Sequence, residues 1–143
     1  MKYIYALLFT FLTSLSYGQL LIGDGAVVKV KQSTTLYTHS GVDIGGTMVL
    51  NGSHSGSNQV AVTIASDGLL KGDGTTSGDV FVEDGGLHSP GEAVGVQTIQ
   101  GNLTYRARSS IDWELVSNNI GTRGTDFDGI DVTGNLVFED PTT

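Results

Sequence analysis

The chain contains no cysteine, only two prolines, and few basic residues. Without cysteine, neither a disulfide framework nor a thiolate zinc centre can form, so stability has to come from backbone pairing and packing. Lys and Arg number 7 against 15 Asp and Glu, a formal net charge of −8. Phosphate backbones are held by clustered positive charge, so this balance argues against a nucleic-acid partner. Lys29/Lys31 and Arg106/Arg108 come in pairs, each around one apolar residue (Val30, Ala107). That spacing places both charges of a pair on the outer face of a strand. Apolar residues at i, i+3, i+4 and i+7 are also missing after the first residues, which argues against helices. No apolar run beyond Leu15 approaches the ~20 residues of a membrane-crossing helix.

The one apolar run stands at the start. Lys2 precedes Tyr3 to Leu15, and the small residues Ser16 and Gly18 follow. A basic residue, a short apolar stretch and small residues two apart have the form of a secretory signal peptide. Cleavage is expected after Gly18, dividing the chain into a leader (1–18) and a single domain (19–143). The mature chain is then secreted or displayed at a cell surface, with no membrane span. An exported domain without disulfides fits a bacterial envelope.

Glycine is abundant: 21 of 143 residues, about twice the usual ~7%. Short apolar runs are punctuated by Gly, Asp and Asn, the residues that make tight turns. Alternation with period 2 recurs throughout. Val28 and Val30 oppose Lys29 and Lys31, and Val60, Val62 and Ile64 alternate with Ala61, Thr63 and Ala65. Ile111, Trp113 and Leu115 alternate with Ser110, Asp112 and Glu114, and Ile130 and Val132 with Asp131 and Thr133. These read as half-buried strands.

Longer-range matches overlie the strands. Ile64 to Leu69 realigns with Val82 to Leu87 at an offset of 18, and Gly101-Asn-Leu103 recurs as Gly134-Asn-Leu136 at an offset of 33. The first offset suits one coil of a β-solenoid. The second is expected to span nearly two coils, with a longer loop within Ser117–Asp128. About six coils of roughly 18–22 residues would then make up the domain. The alternative all-β reading is a β-sandwich. Shared residues at matched positions favour the solenoid.

Asp67-Gly-Leu-Leu-Lys-Gly-Asp-Gly74 and Gly78-Asp-Val-Phe-Val-Glu-Asp-Gly-Gly-Leu-His-Ser-Pro-Gly91 resemble the autotransporter-type passenger repeat. Gly95 to Thr104, Ser109 to Leu115 and Phe127 to Gly134 are similar to its later elements, in the same order. The resemblance runs over about residues 64–138. It implies an all-β, right-handed parallel β-helix of a bacterial surface or secreted protein, here a short or truncated member.

Candidate chemistry is sparse. Asp112 and Glu114 lie two apart on a strand, about 6.5–7 Å, within the range of an inverting glycosidase pair. With Ile111, Trp113 and Leu115 inward, both acids are expected to face water as structural carboxylates. Asp126, Asp128 and Asp131 surround Gly129 with a faint likeness to a calcium loop, but the terminal Glu of such a loop is missing. Turn capping is the plainer reading. His39, His54 and His88 are expected in turns, without zinc spacing, and Ser89 before Pro90 reads as a turn residue. The six aromatics beyond residue 18 (Tyr37, Phe81, Tyr105, Trp113, Phe127, Phe138) are mostly expected inward. No residue is singled out as catalytic, cofactor-binding or metal-ligating. The function expected is a non-catalytic structural or adhesive surface module, the alternative a polysaccharide-active or carbohydrate-binding β-helix. Expected partners are surface glycans, host or cell-surface proteins, neighbouring coils of a longer chain, or another copy at the open ends.

Overall fold

The computed structural model describes residues 18–57, 61–117 and 121–139. All but the last residue of the leader, together with Val60, lies outside the described residues. Those described form sixteen strands and no helix. They follow one another in triplets. The first is β1 (Leu20–Ile22), β2 (Val27–Val30) and β3 (Thr35–Thr38); the second is β4 (Val42–Ile44), β5 (Thr47–Leu50) and β6 (Ser53–Gly56). The third comprises β7 (Val62–Ile64), β8 (Leu69–Gly72) and β9 (Thr75–Thr76), the fourth β10 (Val80–Val82), β11 (Leu87–Pro90) and β12 (Val96–Ile99). Then come β13 (Leu103–Tyr105), β14 (Ser110–Ile111) and β15 (Gly129–Val132), with β16 (Leu136–Phe138) after them.

Every third strand pairs in parallel, which sorts the chain into three walls. One six-stranded sheet runs β1-β4-β7-β10-β13-β16, and two five-stranded sheets run β2-β5-β8-β11-β14 and β3-β6-β9-β12-β15. The protein is a three-walled parallel β-solenoid.

Alternation within such short strands sends one or two residues per wall inward, and parallel register stacks them on their counterparts. Val42, Val62, Val80 and Leu103 make one internal column, and Ile22, Ile44, Ile64, Val82 and Tyr105 another. All of these are buried. Met48, Leu70 and His88 form a third column on the second wall. Such self-stacking lets a lean sequence build a continuous apolar core, because each side chain is covered by its counterparts one turn away.

The matched positions in the sequence are matched positions in space. Ile64 pairs with Val82, and Leu69 with Leu87. Glycine recurs beside them because the turns approach too closely for a side chain. A Cβ on Gly68 would stand 1.9 Å from the Ile44 carbonyl oxygen, and one on Gly74 would stand 2.3 Å from that of Gly52. At the corner between the first and second walls, Gly25, Asp67, Gly85 and Arg108 all take a left-handed backbone, with φ from 63° to 76°. The Asp67 and Gly85 amides donate to the carbonyls of Gly85 and Arg108, so this corner is itself hydrogen-bonded from turn to turn.

Two expectations are corrected here. Leu103 pairs directly with Leu136, so the offset of 33 covers one turn and not nearly two. The additional residues fall between β14 and β15, an excursion where Ser117 and residues 121–128 of the stretch expected as a loop lie outside the named strands, and residues 118–120 of it lie outside the described residues. Arg106 and Arg108 do not alternate on a strand. They flank a turn just after β13, where Arg106 reaches Glu83 at 3.0 Å and Glu139 at 2.8 Å, and Arg108 pairs with Asp84. That guanidinium holds the Asp84 carboxyl below its ordinary range.

Candidate functional site

His54 and His88 are not turn residues. Both point into the solenoid, from β6 and β11. In Leu87-His-Ser-Pro90 the alternation sends Leu87 outward and His88 inward, onto Leu70 of the turn before. His88 is enclosed by a chain of hydrogen bonds whose direction is set at its far end. Gln97 Nε2 donates to the Gly72 carbonyl at 3.1 Å, which turns its Oε1 toward His88 Nε2. His88 Nε2 is therefore the protonated nitrogen, and Tyr105 donates its hydroxyl to Nδ1 at 2.7 Å. Burial favours the neutral ring and lowers its pKa to about 4, although the bond to Gln97 acts the other way. Burial likewise pushes the Tyr105 hydroxyl up. This cluster is fully paired and sealed, which suits a structural polar joint in the core.

His54 is less completely satisfied. Its Nε2 meets Thr38 Oγ1 at 2.8 Å, while its Nδ1 and the buried Thr76 hydroxyl have no protein partner. His54 and Thr76 are paired in register on adjacent turns. Burial lowers the His54 pKa too. His39 lies exposed just after β3.

The acids of the excursion are distributed, not converged. Asp128 is buried and accepts from the amides of Gly95 (2.9 Å) and Glu114 (2.7 Å). Asp126 accepts from the Thr122 amide, and Asp131 forms a two-pronged pair with Arg123 at 2.7 and 2.9 Å. Among the described residues, no group of three His, Asp or Glu side chains is placed to hold a metal ion.

Asp112 and Glu114 are exposed, but not for the reason the alternation suggests. Strand β14 ends at Ile111, which holds the internal position after His88 but is 45% exposed in the last turn of its wall, and beyond the strand Trp113 and Leu115 are 47% and 55% exposed instead of inward. Trp113 is held outside by a bond from its indole N–H to the Asp128 carbonyl at 2.9 Å and by packing against Phe127. The expectation of inward aromatics fails at Tyr37 (61% exposed), whereas Phe138 takes the internal position after Tyr105 and is 68% exposed because it stands in the last described turn; Tyr105 is the buried one among the described aromatics.

The most regular surface is the outside of the third wall. Thr35, Ser53, Thr75 and Thr98 stand in one column, in register from turn to turn. Tyr37 and Ser55 pair beside them, and the next turns place Ser77 and Gln100 alongside. Thr35, Ser53, Ser55, Thr75, Ser77 and Gln100 line a shallow open groove. Its backbone is braced where the Ser77 amide and hydroxyl both donate to the His54 carbonyl. The sequence conceals this face because Ser53-His-Ser-Gly56 and Thr75-Thr-Ser77 lack apolar alternation.

Comparison with known proteins finds no relative. No protein-family model matches the chain, and neither does any curated protein or solved structure. No described helix is long and apolar enough to cross a membrane.

Proposed function

We propose that this protein is an exported, non-catalytic surface module of a bacterial passenger-like protein, and that it adheres to glycans through the outer face of its third wall. The observation that carries this reading is the ladder of Thr35, Ser53, Thr75 and Thr98 flanked by Ser55, Ser77 and Gln100. Hydroxyl and amide groups both donate and accept, and parallel stacking repeats them every ~4.8 Å on a stiff support. A polysaccharide offers the complementary groups, also in repeat. Exposed Tyr37 at one end of the ladder adds a ring with an apolar face and a polar tip.

Export rests on the leader read from Lys2, the Tyr3–Leu15 run and Gly18. The resemblance of residues 64–138 to passenger repeats supports the same setting.

Binding of the purified chain to a panel of insoluble and immobilised polysaccharides is the test. Thr75→Arg puts a long charged side chain in the middle of the ladder and should reduce retention on the bound polysaccharide by about tenfold or more. Lys71→Ser on the neighbouring wall should leave it unchanged. Equal binding by the wild type and Thr75→Arg, or hydrolysis of a polysaccharide that is lost in Asp112→Asn, would refute the reading.

A further inference from the structure

The large apolar side chains exposed among the described residues all belong to the two ends of the solenoid. Leu21, Val27 and Tyr37 are in the first turn, and the others, among them Ile111, Leu136 and Phe138, lie from β14 onward. At the far end three internal positions run out into the open. Phe138 continues the column of Ile64, Val82 and Tyr105 and stacks on Tyr105 at 5.1 Å, yet it is 68% exposed. Leu136 continues the column of Val80 and Leu103, and Ile111 that of Leu70 and His88; they are 53% and 45% exposed. At the near end the matching internal positions Leu20, Val28 and Leu36 are only half-buried, and Leu20 and Leu36 line an open depression. Among the described residues, β1, β2 and β3 at one end and β14, β15 and β16 at the other are the outermost strands of their sheets, with edges able to pair with another strand.

The ends differ in charge. Exposed Lys29 and Lys31 stand at the near end beside Asp24; at the far end exposed Asp112 and Glu114 stand beside Arg108 and Arg123, whose charges are taken up by Asp84 and Asp131. Lys29 and Asp112 moreover share a column. Lys29 pairs with Val49, Val49 with Lys71 and Lys71 with Ser89. The Asp112 amide then donates to the His88 carbonyl, placing Asp112 next in that series after Ile111. The excursion before β15 is tied to the preceding turn, with Asp128 on the Gly95 amide and Gly124 against Val96.

We propose that a second copy of this chain seats its first turn on the last turn of the copy before it, continuing all three walls in the register used inside the molecule. Leu20 of one copy then covers Leu136 of the other, Val28 covers Ile111 and Leu36 covers Val132. On the outside Lys29 meets Asp112. In its own chain Lys29 lies 3.2 Å from Glu92 at the surface, a contact that leaves the ammonium able to reach a second carboxylate. Because the two joined surfaces are different, the contact does not close on itself, and copies add into a filament. This inference is independent of the adhesive face.

Sedimentation velocity of the purified chain over a concentration series, with electron microscopy of the same samples, tests it. The wild type should show a mean size that grows with concentration and thin unbranched filaments. Lys29→Glu and Asp112→Lys should each weaken association by about tenfold, through loss of the pair and a like-charge contact. Mixing the two variants, or combining both changes in one chain, should restore it. Asp112→Lys leaves the Glu92 contact intact, so it tests the interface even where Lys29→Glu disturbs the first turn. A chain that is monomeric at every concentration, its ends covered by other segments or by a different partner, overturns the proposal. So does association that ignores both reversals.

Discussion

A neutral imidazole sealed between Tyr105 and Gln97 makes the core sensitive to acid. His88 has a folded pKa of about 4, against ~6.5 for an unfolded histidine. The unfolded chain therefore takes up the proton first as pH falls. The stability contributed by the neutral ring is complete above about pH 6.5, falls between there and about pH 4, and is gone below. A shift of this size corresponds to roughly 3 kcal/mol, as an order of magnitude. Urea unfolding at pH 7, 5.5 and 4 should show this loss, and His88→Gln should be less stable at pH 7 but flatter across the window. An equally steep dependence in His88→Gln would remove His88 as its origin. Thr76 gives the opposite kind of prediction. Its hydroxyl is buried without a protein partner, so Thr76→Val, of nearly the same shape, should stabilise the fold by about 1 kcal/mol in the same assay. A destabilised variant would show that the hydroxyl is satisfied.

For strands and corners the controlling quantity is the distance between successive turns. Gly68→Ala forces a Cβ against the Ile44 carbonyl, fixed backbone that cannot step aside, and should cost about 2 kcal/mol or more by urea unfolding. Gly23→Ala, with open space around its Cβ, is the matched control and should change stability by less than about 0.5 kcal/mol. Equal effects at both positions would contradict the close stacking. These local rules also explain what could be read in advance. Leu69 and Leu87 were legible as equivalent because each coil there is short and uninterrupted, so identity and register coincide. His88 was not legible as an inside residue. Its strand holds two candidates, Leu87 and His88, and hydrophobicity favours the wrong one; only pairing with Gln97 and Tyr105 makes the histidine acceptable inside. The serine and threonine face was hidden for a related reason, since a strand whose outward residues are hydroxylic and whose inward residue is histidine has no apolar rhythm.

Across the whole molecule, fold and function were unequally legible. Parallel stacking leaves a repeating trace in the chain, whereas the face proposed to bind glycans is an assembly of Thr35, Ser53, Thr75 and Thr98 from four turns, with no local motif. The offset between Leu103 and Leu136 is ambiguous in the sequence because 33 residues can be two short coils or one coil carrying an excursion, and sequence identity alone does not separate them. In the first wall each pairing advances the solenoid by one strand spacing, whatever the length of chain between, and the fold stands or falls on that geometry. The outward residues Leu21, Asp43, Thr63, Phe81, Thr104 and Val137 pair successively. A chain without cysteine accepts spin labels cleanly at pairs of these positions. From Leu21, backbone separations of about 10, 14 and 24 Å are predicted for Thr63, Phe81 and Val137, at ~4.8 Å per pairing. Separations that fail to rise in these steps, or a Phe81–Val137 distance well above two spacings, would contradict it.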